Sequence, residues 1–244
     1  MHNTVGRRIR NLVIGLAATG LLAAGTVPAQ ASERPIDVTG YSVSSIAVAD
    51  SNCHYVSVKA SSKVKRDYEE AFGFIDVTRN GGLVDSLWFE NRKVGDRALI
   101  CPAWEGLGTY KVGPADISAA YSYWDSYFGY EGTDYVDYVD RTSKTFNVRG
   151  KSKSTLTAKR SGSKVTLTAK AQVYSPEKYR YAQYNGKKAK FQVKSGSKWK
   201  TLKTLDLKKG TAKLTVKQSK KKTYRLSIPT ASWATATSSN SVSK

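Results

Sequence analysis

From residue 156 onward the chain alternates. Leu156 and Ala158 stand two apart, as do Val165, Leu167 and Ala169, then Ala189, Phe191 and Val193. Ala212, Leu214 and Val216 follow the same rule, and so do Tyr224, Leu226 and Ile228, with Lys, Thr, Ser, Gln or Arg between them. Apolar residues at a period of two turn one side of a strand to a core and the other to water. Further strands are predicted around 199–205 and 232–236, and the breaks carry turn chemistry: Ser161-Gly162-Ser163, Asn185-Gly186, Ser195-Gly196-Ser197 and Lys209-Gly210. No window shows apolar residues at helical spacing. About seven short, half-buried strands in one stretch predict an antiparallel β-sandwich.

The first half is β-rich but less regular. Val56, Val58 and Ala60 alternate after Cys53, and Ile75, Val77 and Leu83 flank Asn80-Gly81-Gly82, a hairpin signal. Leu87-Trp88-Phe89 and Ala98-Leu99-Ile100-Cys101 predict two more strands. Gly108-Thr109-Tyr110-Lys111-Val112 reads as a corner entering a strand, and Thr145-Phe146-Asn147-Val148 as the closing strand. Between those two, residues 113–143 show no clear alternation and are predicted to form a long loop.

A resemblance rests on the second half. Residues 164–174, Ser175-Pro176-Glu177-Lys178-Tyr179-Arg180, 186–193, 199–205 and 222–228 resemble the immunoglobulin-like sandwich modules of secreted actinobacterial proteins. In those modules a Lys-x-Lys-aromatic-x-Val strand, a Gly turn and Trp-Lys-Thr-Leu precede a final Tyr-Arg strand. The first half resembles the disulfide-bearing module often found in front. The resemblance implies an all-β chain of two tandem immunoglobulin-like antiparallel sandwiches outside the cell membrane, with no assigned catalytic residues.

The N-terminus agrees with that location. Arg7, Arg8 and Arg10 precede a charge-free stretch from Leu12 to Thr26, then Pro28 and Ala29-Gln30-Ala31. Residues 1–31 read as a secretory signal peptide, with Sec or Tat export left open, and the mature chain starts near Ser32. No later segment is long and apolar enough to span a membrane. In an oxidising compartment Cys53 and Cys101 read as one disulfide, worth about 4 kcal/mol in the chain-entropy model. No zinc site, cluster or other cofactor is expected from two Cys and two His.

Charge divides the mature chain. Residues 32–148 carry 12 Lys+Arg against 17 Asp+Glu, a net −5, and residues 149–244 carry 25 against two, a net +23. We read these as an acidic, disulfide-bearing module and a strongly basic one joined by a short linker. Lys heavily outnumbers Arg in the basic module, which favours diffuse attraction to a polyanion over bidentate readout of particular groups. The candidate polyanion-binding residues are Lys188, Lys190, Lys198, Lys200, Lys220, Lys221 and Lys222. Their expected partner is an anionic cell-wall polymer or acidic polysaccharide, not a specific nucleic-acid sequence. Solubility and edge protection are the bland reading of such lysines.

Residues 121–138 hold eight aromatics in eighteen positions. Tyr121, Tyr123, Trp124, Tyr127, Tyr130 and Tyr138, with Asp134 and Asp137, are the candidate ligand-binding set, suited to a glycan or a protein partner. The bland reading is a self-packed loop. Asp134, Asp137 and Asp140 lack the spacing of a calcium loop, so no metal site is assigned. Paired with Glu90 or Glu105, the carboxylates suggest a glycosidase, but sequence fixes no separation between them. His54, the single mature histidine, has no nucleophile motif beside it. The chain is read as non-enzymatic. A structural protein that self-associates through its opposite charges is the alternative, and an enzyme acting on glycans a lesser one.

Overall fold

The computed structural model describes residues 34–64, 68, 70–90 and 95–244, so the expected signal peptide lies outside the described residues. The first half supplies β1 (Ile36–Val43), β2 (Ile46–Val48), β3 (His54–Val64), β4 (Glu70–Arg79), β5 (Gly82–Glu90) and β6 (Gly95–Ile100). A four-residue helix, α1 (Pro102–Glu105), precedes β7 (Gly108–Asp125), β8 (Tyr130–Asp140) and β9 (Lys144–Gly150). The second half supplies β10 (Ser152–Ser161), β11 (Lys164–Ser175), β12 (Arg180–Gln183), β13 (Gly186–Ser195), β14 (Lys198–Leu207), β15 (Thr211–Lys217), β16 (Thr223–Ile228), β17 (Thr237–Ser238) and β18 (Val242–Ser243).

The chain is all-β, as expected. In the first sandwich β1-β3-β6 face β2-β9-β7-β4-β5, with β8 added to β7. In the second, β10, β11 and β15 face β14-β13-β16, and β17 and β18 close the edge on β16. Counting principal strands, the first, second and fifth form one sheet and the third, fourth, sixth and seventh the other, which is an immunoglobulin-like order. The alternating residues fill two separate cores. Val56, Val58, Ile75, Val77, Tyr110, Val112, Phe146 and Val148 lie in one; Val165, Leu167, Ala169, Ala189, Phe191, Leu226 and Ile228 lie in the other.

The local signals act as chemistry requires. Asn80 and Gly81 take φ of 51° and 83°, the paired positive values that a two-residue hairpin turn needs. Tyr110, at the entry to β7, donates its hydroxyl to the Gly106 carbonyl at 2.6 Å, a tyrosine corner. Cys53 and Cys101 are bonded. They sit just before β3 and just after β6, whose ends pair at His54 and Ile100, so the bond closes one end of the three-stranded sheet.

Two expectations need correction. Residues 113–143 are not a long loop: β7 and β8 pair from Ala115–Asp140 out to Asp125–Tyr130, forming a long hairpin. Alternation is hard to see there because β7 pairs with β4 only as far as Ala120. Beyond that point the hairpin meets no other strand among the described residues, so neither face has to be apolar. The strand expected at 232–236 is also absent. Ala234 makes an isolated bridge to Gly150 instead.

The passage between sandwiches is one residue long. Lys151 donates its N–H to the Val48 carbonyl at 2.8 Å and accepts from Tyr174 at 2.9 Å. Gly150 donates to the Trp233 carbonyl and accepts from Thr235, both at 3.0 Å. Ser51 adds a hydrogen bond to the Pro176 carbonyl at 2.8 Å. A Cβ on Gly150 would lie 2.3 Å from the Tyr174 carbonyl oxygen, so only glycine fits this seam. The described residues from 34 to 244 thus form one compact unit with two cores.

Candidate binding surfaces

The aromatic segment is a β-hairpin. Its turn, 126–129, is built from Asp125: the carboxylate accepts the N–H groups of Tyr127 and Phe128 at 2.9 and 3.0 Å. The Asp125 carbonyl accepts the Gly129 N–H at 2.8 Å. Gly129, with φ of 67°, completes the kind of turn that four-residue hairpin loops use. Tyr127 is 87% exposed and Trp124 67%, and Phe128 and Tyr130 stand beside them. The rings support one another, with Phe128 4.8 Å from Tyr127 and 5.9 Å from Tyr130.

The candidate set does not converge on one face. Trp124, Tyr127 and Tyr130 belong to the exposed tip. Tyr123 packs its ring over the bare backbone of Gly132 across the hairpin. The Tyr121 hydroxyl donates to Asp134 at 3.1 Å. Tyr138 points to the core side, donating to the Ile36 carbonyl at 2.8 Å and accepting the Ile36 N–H at 3.1 Å. Burial raises its phenol pKa above the ordinary value, partly offset by that bond to Ile36. Asp137 lies on the opposite, outward face, across from Ser118.

The aspartates considered for calcium separate likewise. Asp140 is buried and accepts the Val38 N–H at 2.8 Å and the Thr142 N–H at 2.9 Å, tying β8 to β1. Its role is structural. Among the described residues no group of three His, Cys, Asp or Glu side chains is placed to hold a metal. His54 stands 3.0 Å from Asp50, next to the disulfide.

The candidate lysines scatter over one sheet and its turns. Lys190 faces outward between Thr204 and Ser227. Lys198 ends the β13–β14 turn, Lys200 lies across from Val193, and Lys188 sits in a bulge with φ of 72°. Lys220, Lys221 and Lys222 are exposed in the turn before β16. Arg160 orders that turn by donating to the carbonyls of Gln218, Ser219 and Lys220.

A denser surface lies on the other sheet. Five rows cross its outward face: Lys153, Gln172 and Gln183; Thr155, Lys170 and Thr211; Thr157, Thr168 and Lys213; Lys159, Thr166 and Thr215; Ser161, Lys164 and Lys217. Each row carries a lysine and none an acid or an apolar residue. Strand geometry sets the rows about 7 Å apart and neighbours within a row about 5 Å apart. The hydroxyls of Thr166 and Thr215 hydrogen-bond at 3.1 Å. Lys153 holds its ammonium 3.8 Å over the Tyr181 ring. A shallow cavity of about 370 Å³ opens between Lys153, Lys170 and Lys209. The module's two acids are elsewhere, Glu177 in the turn Pro176–Lys178 and Asp206 on β14.

Sequence reasoning placed lysines on the polar faces of strands from residue 188 onward and passed over Lys153, Lys159, Lys164 and Lys170. The available signal was Lys and Thr recurring every second residue along 153–159, 164–170 and 211–217, the outward counterpart of the apolar alternation.

No protein-family model and no curated protein matches the chain. Among solved structures it is similar to the D00-D0 domain of Intimin, at 15% identity over 84% of this chain and 98% of that one, with a TM-score of 0.25. So slight a likeness supports no inference about function. No helix among the described residues is long and apolar enough to cross a membrane.

Proposed function

We propose that the chain is a secreted, non-enzymatic binding protein with two working ends. The basic sandwich holds an anionic polymer of the cell envelope or matrix, and the acidic sandwich faces a second partner, a glycan or a protein. The lysine–threonine lattice carries this reading. A flat face of fifteen polar side chains, with a cation in every row and no acid, suits a chain of repeated negative groups. Flexible lysines on open strands suit many registers of such a chain and select none.

The test is retention of mature protein on purified anionic wall polymer across a salt series. Retention should collapse between low and about 1 M salt, where the Debye length shrinks to about 3 Å. Replacing Lys164, Lys170 and Lys213 by Gln should weaken it more than the same change at Lys220, Lys221 and Lys222. Salt-insensitive retention, or a lattice variant that binds like the parent, would overturn the proposal. The opposite charges of the two modules, −5 and +23, favour a second reading, head-to-tail self-association. Its signature is a mass that rises with concentration in light scattering.

A further inference from the structure

On the outward face of β5-β4-β7-β8, Trp88, Phe74, Asp116 and Val139 form one row and Glu90, Phe72, Ser118 and Asp137 the next. The solvated face of an antiparallel sheet is ordinarily polar. Here Phe74 is 48% exposed and Trp88 46%. The rings form a cluster, Trp88 edge-on to Phe74 at 5.0 Å and stacked with Phe72 at 5.8 Å. Asp116 and Ser118 on β7 are shorter than the rings on β4. A trough of about 420 Å³ results, lined by Phe72, Phe74, Asp116, Ser118, Asp137 and Val139.

Its two carboxylates are uncommitted. Asp76, Asp85, Asp125, Asp134 and Asp140 each accept a hydrogen bond within the fold. Asp116 and Asp137 accept none among the described residues. Both border the trough, and no cation lines it.

We propose that this trough binds an uncharged saccharide chain. Rings on one bank present apolar faces to the C–H side of a sugar, while the carboxylates accept from its hydroxyls, charge-assisted bonds of the stronger kind. An anionic polymer is refused by the same carboxylates, and a cationic one is repelled by the +23 sandwich joined to this one. A peptide strand is a poor fit because it adds to an open sheet edge. Along the trough the backbone of β7 is already paired with β4 on one side and β8 on the other. The inference deepens the reading of the acidic sandwich as the partner-facing end, and rests on it.

The experiment titrates the mature chain with soluble β-1,4-glucan, β-1,3-glucan, mannan and galactan in about 1 M salt, which screens the basic lattice. Affinity electrophoresis and tryptophan fluorescence are the readouts. At least one polysaccharide should be retained. Phe74→Ala, and Asp116→Asn with Asp137→Asn, should each weaken it by about tenfold. Trp88→Phe should remove the fluorescence response. These side chains are exposed, and circular dichroism of each variant should match the parent. Retention of none of the four polysaccharides overturns the proposal, and so does retention that ignores these substitutions. A mass that rises with concentration and reverts in Phe74→Ala would also overturn it, by assigning the face to a second copy. Anionic-polymer retention at low salt is measured alongside: if it survives while glycan binding fails, the trough alone is refuted.

Discussion

Outward positions of β4 and β5 in the first sandwich include the rings Phe72, Phe74 and Trp88, whereas those of β10 and β11 in the second include Thr155, Thr157, Lys159, Lys164, Thr166, Thr168 and Lys170. Inward positions of the same strands are interchangeable in kind, Ile75 and Val77 against Val165 and Leu167. A strand places alternate side chains on opposite faces, so packing governs only every second residue. The shared strand order is carried by that inward half. The other half is free to become rings and carboxylates on one sandwich and lysines and hydroxyls on the other. The first sandwich also bears the disulfide and the β7–β8 hairpin that outgrows its core, while the second keeps short turns.

The largest test of this pairing removes a central ring from each core. Phe146 and Phe191 are 2% and 0% exposed. Truncating either to Ala should cost about 3–5 kcal/mol, the range for a buried aromatic. The hydrogen bonds around Gly150 join the two sandwiches, so both variants should lower a single calorimetric transition. Two separate transitions, each moved by one variant only, would show that the sandwiches unfold independently.

Gly150→Ala attacks the join itself. Its added Cβ would meet the Tyr174 carbonyl at 2.3 Å, Val173 at 2.8 Å and Leu107 at 2.9 Å. Overpacking of this kind costs about 1–3 kcal/mol. The expected result is a broadened or split unfolding transition, with anionic-polymer retention largely kept because only the first lattice row, Lys153 with Gln172 and Gln183, borders the seam. An unchanged transition would mean that the join carries no coupling.

Much of the fold was legible because burial writes itself as alternation. Leu167, Phe191 and Leu226 announce their strands, and Asn80-Gly81 announces its turn. The hairpin of β7 and β8 stayed hidden for the converse reason. Tyr121, Tyr123 and Tyr135 do alternate, but with Ser122, Trp124 and Asp134, since both faces meet water near the tip. Register was the other missing quantity. Asp116, Asp137, Phe74 and Trp88 are far apart in sequence, and only the pairing of four strands brings them to one trough. The lattice hid similarly: Lys159 and Lys170 look like ordinary surface charges until the rows are laid side by side.

The smallest test compares two tyrosines at equivalent corners. Tyr110 opens β7 and Tyr224 opens β16; both are fully buried. Tyr110 donates to the Gly106 carbonyl at 2.6 Å, whereas the Tyr224 hydroxyl has no hydrogen-bond partner among the described residues. Tyr110→Phe should therefore cost about 1 kcal/mol, since a buried carbonyl loses its donor. Tyr224→Phe should be neutral or slightly stabilising, because it removes a desolvated polar atom that gains nothing in return. Urea midpoints of the two variants would show the difference. Alkali adds a second readout. Burial, the larger influence, raises the pKa of both phenols above the ordinary 10.0, against smaller lowering by Arg79 at Tyr110 and by Arg160 at Tyr224. The unfolded chain then loses these protons first, and stability present below about pH 10 is lost as pH climbs through the folded values. Each Tyr→Phe variant should soften that alkaline loss. Burial shifts Tyr110 more strongly than Tyr224, so Tyr110→Phe should soften it more, even though it is the costlier change at neutral pH.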